Sequence, residues 1–259
     1  MQRFDKQVAL ITGGLGAMGL AIARRLAREG ARVVLADRVG GDVAAVHAQV
    51  GGAHPPTLLH LEVTEPASWQ AALQALLRAH GRLDVLVNNA GVIAREARTI
   101  DEVDVEDWRH VFAVNVDGTL LGIQAAMQAM RANPGGGAIV NMGSVASYVG
   151  SRDGAAYGAS KAAVRNLNKQ AALSAARMGL PIRVNAVHPG YVWTPLVAQR
   201  LVGQFGSLEA AQEAVRGMNP MRRIVEVDDV AAAVAFLASE EARMVTGADL
   251  VIDGGRLIQ

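Results

Sequence analysis

The chain has 259 residues, 51% hydrophobic and 19% charged, with a net charge of +1; this supplies a substantial core, suits one large α/β domain and argues against disorder. The balanced charge and scattered basic residues give no field for a nucleic acid. With no cysteine, disulfides, thiolate nucleophiles and cysteine-ligated zinc are excluded. The six histidines form no HxxxH or HxH pair, so they are read as surface or packing residues and no metal site is expected.

In chain order, the first strand is "VALIT" (8–12), followed by a helical pattern in which Met18, Ile22 and Leu26 recur every four residues and Gly30 supplies a stop. Val8 to Ala23 carries no charge and follows Arg3 and Lys6, but Gly13, Gly14, Gly16 and Gly19 weaken it as a membrane helix and no convincing cleavage site follows. A cytoplasmic protein without membrane association is expected. Further strands are "RVVLA" (32–36), "TLLHL" (57–61), "LDVLVN" (83–88), "GAIVNM" (137–142), "IRVNAV" (182–187) and "DLVID" (249–253), with helical patterns between them. Strict alternation predicts an α/β doubly wound fold, a seven-stranded parallel sheet with helices on both faces. Residues 190–227 break the alternation and are too long for an ordinary connection, which marks them as a lid or substrate loop.

Between the first strand and first helix, Gly14, Gly16 and Gly19 spell GxGxxG. Bare backbone there lets amides and the positive helix end approach a pyrophosphate. Asp37 ends the second strand 18 residues past Gly19, near the offset at which an acid meets the adenosine ribose hydroxyls. The same carboxylate repels a 2′-phosphate, which predicts NAD rather than NADP.

Past the fifth strand stands Ser144, at the sheet edge where doubly wound folds bind ligands. Thirteen residues on is Tyr157, and Lys161 follows four later on the same helical face. An ammonium about 4 Å from a phenol, at an effective dielectric of about 20, favours the phenolate by about 4 kcal/mol. That is about three pKa units, enough to bring Tyr157 from about 10 to about 7 before desolvation opposes it.

These residues resemble the short-chain dehydrogenase/reductase family, and the resemblance spans roughly residues 6–255. The family's TGxxxGxG falls on Thr12, Gly13, Ala17 and Gly19, with alanine where glycine is usual. YxxxK is Tyr157 and Lys161, the catalytic serine is Ser144, the NxxG asparagine is Asn115 before Gly118, and NNAG is "NNAG" at 88–91. The resemblance implies a Rossmann-type single domain with Tyr157 as general acid and base, Ser144 holding the substrate oxygen and Asn115 positioning a relay water. It implies cofactor contacts from Gly13, Leu15, Gly16, Ala17, Met18 and Gly19 along the pyrophosphate. Glu62, in place of the usual aspartate, with Val63, Asn89, Ala90 and Gly91 would flank the adenosine half. Lys161 and Tyr157 would meet the nicotinamide ribose, and Pro189, Gly190, Val192 and Thr194 the carboxamide.

The loops that should line a substrate pocket offer Val145, Val149, Tyr191, Trp193, Leu196 and Leu201, an apolar wall, with only Arg95, Arg152 and Arg200 as basic residues of that region. The reading is an oxidoreductase for an apolar secondary alcohol or ketone of alicyclic, aryl or steroid type. A 3-oxoacyl-thioester reductase and a non-catalytic dinucleotide-binding regulator are the alternatives. Trp108, Phe112, Met127, Val164 and Leu167 give the stretches 104–131 and 155–178 more apolar surface than one sheet face covers; in the resembling family these helices pair between subunits, implying a homotetramer.

Overall fold

A computed structural model describes residues 2–96 and 98–259, and of Leu196 only the main chain. Seven strands, β1 (Val8–Thr12), β2 (Arg32–Asp37), β3 (Thr57–His60), β4 (Val85–Asn88), β5 (Gly137–Met142), β6 (Ile182–Pro189) and β7 (Asp249–Ile252), join one parallel sheet in the order β3-β2-β1-β4-β5-β6-β7. The helices are α1 (Ala17–Arg28), α2 (Val43–Val50), α3 (Pro66–His80), α4 (Val105–Phe112), α5 (Gly118–Met130), α6 (Ala155–Arg177), α7 (Pro195–Phe205), α8 (Leu208–Met218) and α9 (Val227–Ala238). Among the described residues none of them is long and apolar enough to cross a membrane.

The strand side chains divide the core. Ala9 and Ile11 face one cluster with Ile22 and Leu26 of α1, Val46 of α2 and Val230 and Val234 of α9. Val8 and Leu10 face the other, with Leu76 of α3, Ile123 and Met130 of α5 and Ala171 and Ala175 of α6. The inner strands are therefore covered on both faces, which is why their sequences are near-continuous apolar runs, while the edge strands β3 and β7 stay partly exposed. The strand order reverses between β1 and β4, and it is at the carboxyl ends beside such a reversal that doubly wound sheets bind ligands.

A chain of buried amides ties this reversal to α6. Asn88 Nδ2 donates to Asn141 Oδ1 at 2.9 Å, Asn141 Nδ2 to Asn168 Oδ1 at 3.1 Å, and Asn168 Nδ2 to the Ala248 carbonyl at 3.2 Å. Each buried amide finds a partner on the next element, so the register of β4, β5 and α6 is held by polar groups that have no alternative.

The expected strands are all present, with shifted ends. The fourth begins at Val85, because Asp84 is taken up by the Arg82 guanidinium and the Val8 amide. The sixth runs on to Pro189 because β7 pairs with it as far as Ile252. Residues 190–227 are two helices rather than a loop. Thr194 caps α7 on the Val197 amide with Pro195 next, Gly206 ends it in the left-handed region, and Ser207 caps α8 on Ala210. An isolated bridge from Val192 to Val225 closes the base of this excursion.

Candidate active site

The glycine turn after β1 is packed too closely for side chains. A Cβ on Gly19 would lie 2.4 Å from the Gly13 carbonyl, and one on Gly14 would lie 2.8 Å from the Leu35 Cβ. Gly13 has φ +59° and rests on Ala90. Asn89 locks this turn: its Nδ2 donates to the Thr12 and Gly13 carbonyls at 2.9 and 3.0 Å, while the Asn89 and Ala90 amides each donate to Thr12 Oγ1 at 3.0 Å. The NNAG motif thus holds the glycine turn against the end of β4.

Helix α1 starts at Ala17 with Gly16 as an uncapped N-cap and no acidic residue in its first turn. The Ala17, Met18 and Gly19 amides are the donors that a helix start leaves without partners. Asp37 lies at the end of β2, half-buried, with Oδ2 accepting from the Leu15 amide at 3.2 Å and Oδ1 from Val39 at 3.4 Å. Glu62 is half-buried and accepts from the Thr64 hydroxyl at 3.2 Å; Val63 is buried against Gly118, and its carbonyl accepts from Trp69 Nε1.

Four carboxyl-edge residues converge around Lys161. From α6, Lys161 is 5% exposed and its Nζ donates to the Met142 carbonyl at 2.7 Å, 5.7 Å from the Tyr157 ring centre. A Cβ on Gly91 would lie 3.2 Å from Asn115 Oδ1, a tight approach, and in ordinary contact with Lys161 Nζ at 3.5 Å, so this backbone lies directly against both groups. Asn115 sits in a π-helical turn, Ala113–Asp117, between α4 and α5, a distortion frequent at functional sites. Its amide is fully engaged: Nδ2 donates to the Val92 carbonyl and Ser160 Oγ, both at 2.9 Å, and Oδ1 accepts from the Val92 amide at 2.8 Å. Ser144, buried, has its hydroxyl against the Ala146 amide and hydrogen-bonds Tyr157.

The expected lowering of Tyr157 to about 7 does not appear here. Burial pushes the phenol above 10, and its bond with Ser144 opposes this only in part. The reason is desolvation, which penalises the phenolate more than its surroundings favour it. Burial also pushes Lys161 down from 10.5 to about 8.

Of the proposed pocket residues, Val145 is buried in a short turn after Ser144, Val149 is 48% exposed and Tyr191 lies under the Arg256 guanidinium, 4.9 Å from its ring centre. Trp193 is half-buried. Leu201 packs on Ala211 and Val215 inside the α7–α8 excursion, so it holds that excursion together instead of standing free as wall. The Leu196 side chain lies outside the described residues. Pro189 closes β6, the base of Gly190 rests on Asp253, Val192 is buried in its bridge, and the Thr194 hydroxyl caps α7.

One histidine is a packing residue with polar partners on both edges of its ring. His188 is wholly buried behind the Ser144 turn, with Nε2 3.2 Å from Asp249 Oδ1 and Nδ1 3.2 Å from the Ser144 carbonyl oxygen. Its partner is 61 residues away, and no motif spacing connects them.

The site is built for a dinucleotide: a turn in which added Cβ atoms would clash, an uncapped helix start, a carboxylate fixed at the ribose offset and a buried ammonium next to bare Gly91. A family model described as enoyl-(acyl carrier protein) reductase matches residues 14–256. An NADP-dependent (R)-specific alcohol dehydrogenase of Lentilactobacillus kefiri is 36% identical, covering 99% of each chain. The cyclopentanol dehydrogenase of Comamonas testosteroni is 40% identical over 98% of each. The crystal structure of levodione reductase matches with a TM-score of 0.90 at 33% identity, over 98% of each chain. The chain belongs to the short-chain dehydrogenase/reductase family. It is an oxidoreductase of that family, whose cofactor is a nicotinamide dinucleotide.

The burial of Lys161 has a measurable sign. Below about pH 8 both folded and unfolded chains hold this proton and the cost of burying the cation is present in full. Between about 8 and 10.5 only the unfolded chain holds it, so stability from this group rises with pH. Relative to Lys161→Met, wild-type unfolding free energy from urea titration should rise by about 2 kcal/mol between about pH 8 and about pH 10. A flat or falling difference would show that Lys161 is not buried as an ammonium.

Proposed function

We propose that the protein transfers a hydride between NAD(H) and an apolar secondary alcohol or ketone of alicyclic, aryl or steroid type, with Tyr157 as general acid and base. The observation that supports this best is the meeting of Ser144, Tyr157 and Lys161 at the carboxyl edge of β5, beside the glycine turn. When bound, the dinucleotide supplies the hydride donor or acceptor, carried on a ring that is cationic when oxidised.

Ser144 donates its hydroxyl hydrogen to the substrate oxygen and holds it against Tyr157. With its pKa above 10, the phenol is protonated at neutral pH and ready to give its proton to a forming alkoxide. In the oxidative direction it must lose that proton, and the charge of Lys161 favours the phenolate. Lys161 also meets the nicotinamide ribose from its place beside Gly91. Since the Asn115 amide is engaged by residue 92 and Ser160, a proton relay through this residue uses its main-chain carbonyl, which accepts from Thr119 Oγ1 at 2.7 Å. Val145, Val149, Tyr191 and Trp193 supply the apolar wall, and α7–α8 close over it as the lid of one domain.

Cofactor choice rests on Asp37. Two amides fix its carboxylate above the glycine turn, where it accepts from ribose hydroxyls and repels a 2′-phosphate. At an effective dielectric of about 20 and about 4 Å, each unit-charge repulsion is about 4 kcal/mol, so a preference of roughly 100-fold survives salt screening. Reduced-nicotinamide absorbance with a panel of cyclic and aryl alcohols, and a 3-oxoacyl thioester in the reverse direction, should show turnover of the alcohols and an NAD preference that Asp37→Gly erodes toward NADP. Equal use of both cofactors by the wild type, or thioester turnover alone, would overturn this reading.

Assembly as a homotetramer is part of the same proposal. Val164 is buried within the subunit and Trp108 stacks on Phe112 at 4.8 Å, so those residues do not call for a partner; exposed Val105, Leu120 and Leu173 on α4, α5 and α6 do. Sedimentation should give four times the 27.1 kDa chain mass, and a monomer at micromolar concentration would contradict it.

A further inference from the structure

We infer that His188 and Asp249 form a positioning pair that aims Ser144 through the Ser147 hydroxyl and the turn that carries both serines; the inference rests on the reading that Ser144 holds the substrate oxygen. The imidazole of β6 lies flat against the turn that carries the serine. A Cβ on Gly143 would lie 2.4 Å from its Cε1 and Nδ1, so the close approach requires glycine. Nδ1 is 3.2 Å from the Ser144 carbonyl oxygen and 3.1 Å from Ser147 Oγ, and Ser147 Oγ itself donates to the Ser144 carbonyl at 2.6 Å. On the opposite edge Nε2 is 3.2 Å from Asp249 Oδ1.

Every group facing this pair restrains it. Asp249 also accepts from Arg165 Nε at 2.9 Å and from the Lys169 ammonium, both on α6. Tyr148 meets the imidazole edge-on at 5.2 Å, and the Arg165 guanidinium covers the Tyr148 ring at 3.7 Å. Asp249 only accepts, so the ring donates Nε2–H to it and its rotation is fixed; Nδ1, left without a proton in the neutral ring, then accepts from the Ser147 hydroxyl, which lies between it and the Ser144 carbonyl. Lys161 comes to the same strand end from the other side, on Met142. The serine therefore stands between Lys161 on one side and the His188–Asp249 pair, held by Arg165 and Lys169, on the other. A hydroxyl that must orient a substrate oxygen loses rate steeply when displaced by a fraction of an ångström, and this is the set of contacts that prevents it.

Two amide replacements separate the ring's edges. His188→Asn keeps a polar atom at the Nδ1 position and loses Asp249; His188→Gln keeps one at the Nε2 position and loses Ser147. The expected result is that His188→Leu and His188→Gln lower kcat by about 10- to 100-fold with dinucleotide affinity nearly unchanged, while His188→Asn restores kcat to within about threefold of wild type. If His188→Leu fails to fold, the Asn and Gln pair decides alone. Equal kcat in those two variants, or rates that follow melting temperature instead of the Ser147 contact, would overturn the inference. Ser144→Ala is measured alongside: wild-type turnover there sinks the role of the serine itself, whereas an inactive Ser144→Ala with a fully active His188→Leu sinks only the positioning pair.

Discussion

An ammonium buried at the carboxyl edge of the sheet is the constraint around which this site is organised. Lys161 is driven inward by its place on α6, and among the described residues no carboxylate pairs with it; the Met142 carbonyl accepts its hydrogen bond instead. Burying a charge without a counter-charge is costly, and the chain answers by removing what would crowd or compete. Gly91 is bare, Asn115 is held away by Ser160 and residue 92, and the strand end of β5 leaves a carbonyl free. The outcome is an ammonium shifted to about 8, still charged at neutral pH but close to losing its proton.

That single group also links the two halves of the chemistry. It lies against the NNAG turn that locks the glycine loop, and one helical turn from the phenol that meets Ser144. The dinucleotide side and the proton-transfer side are therefore parts of one packed arrangement rather than neighbouring sites. Because α6 also carries Asn168, Arg165 and Lys169, its position is fixed from the sheet by a buried amide chain and from β7 by Asp249.

What could be read from the sequence was what depends on short range. Asp37 follows from one strand-helix-strand unit, Tyr157 and Lys161 from one turn of helix, and Ser144 from the end of one strand. All of these stand where the spacing put them. What was not legible depends on distant segments: the His188–Asp249 contact joins two strands across 61 residues, and the Asn88–Asn141–Asn168 chain draws on three elements. The sign of the Tyr157 shift was missed for the same reason, since desolvation is set by everything packed around the phenol and the spacing of Tyr157 and Lys161 contains none of it. The α7–α8 excursion sits between these cases. Its departure from the strand-helix alternation was visible, but Thr194 and Ser207 emerged as helix caps, and Leu201 turned inward, only because α7 and α8 pack on each other.

The central claim is that the phenol of Tyr157, and no other group, moves the proton. Single-turnover hydride transfer by Tyr157→Phe, measured with dinucleotide affinity on the same preparation, tests it most directly. A loss of roughly 100-fold or more in the transfer rate, with affinity within about threefold of wild type, is the expected result. Retention of about a tenth of the wild-type rate would contradict it and place the acid and base elsewhere in the site.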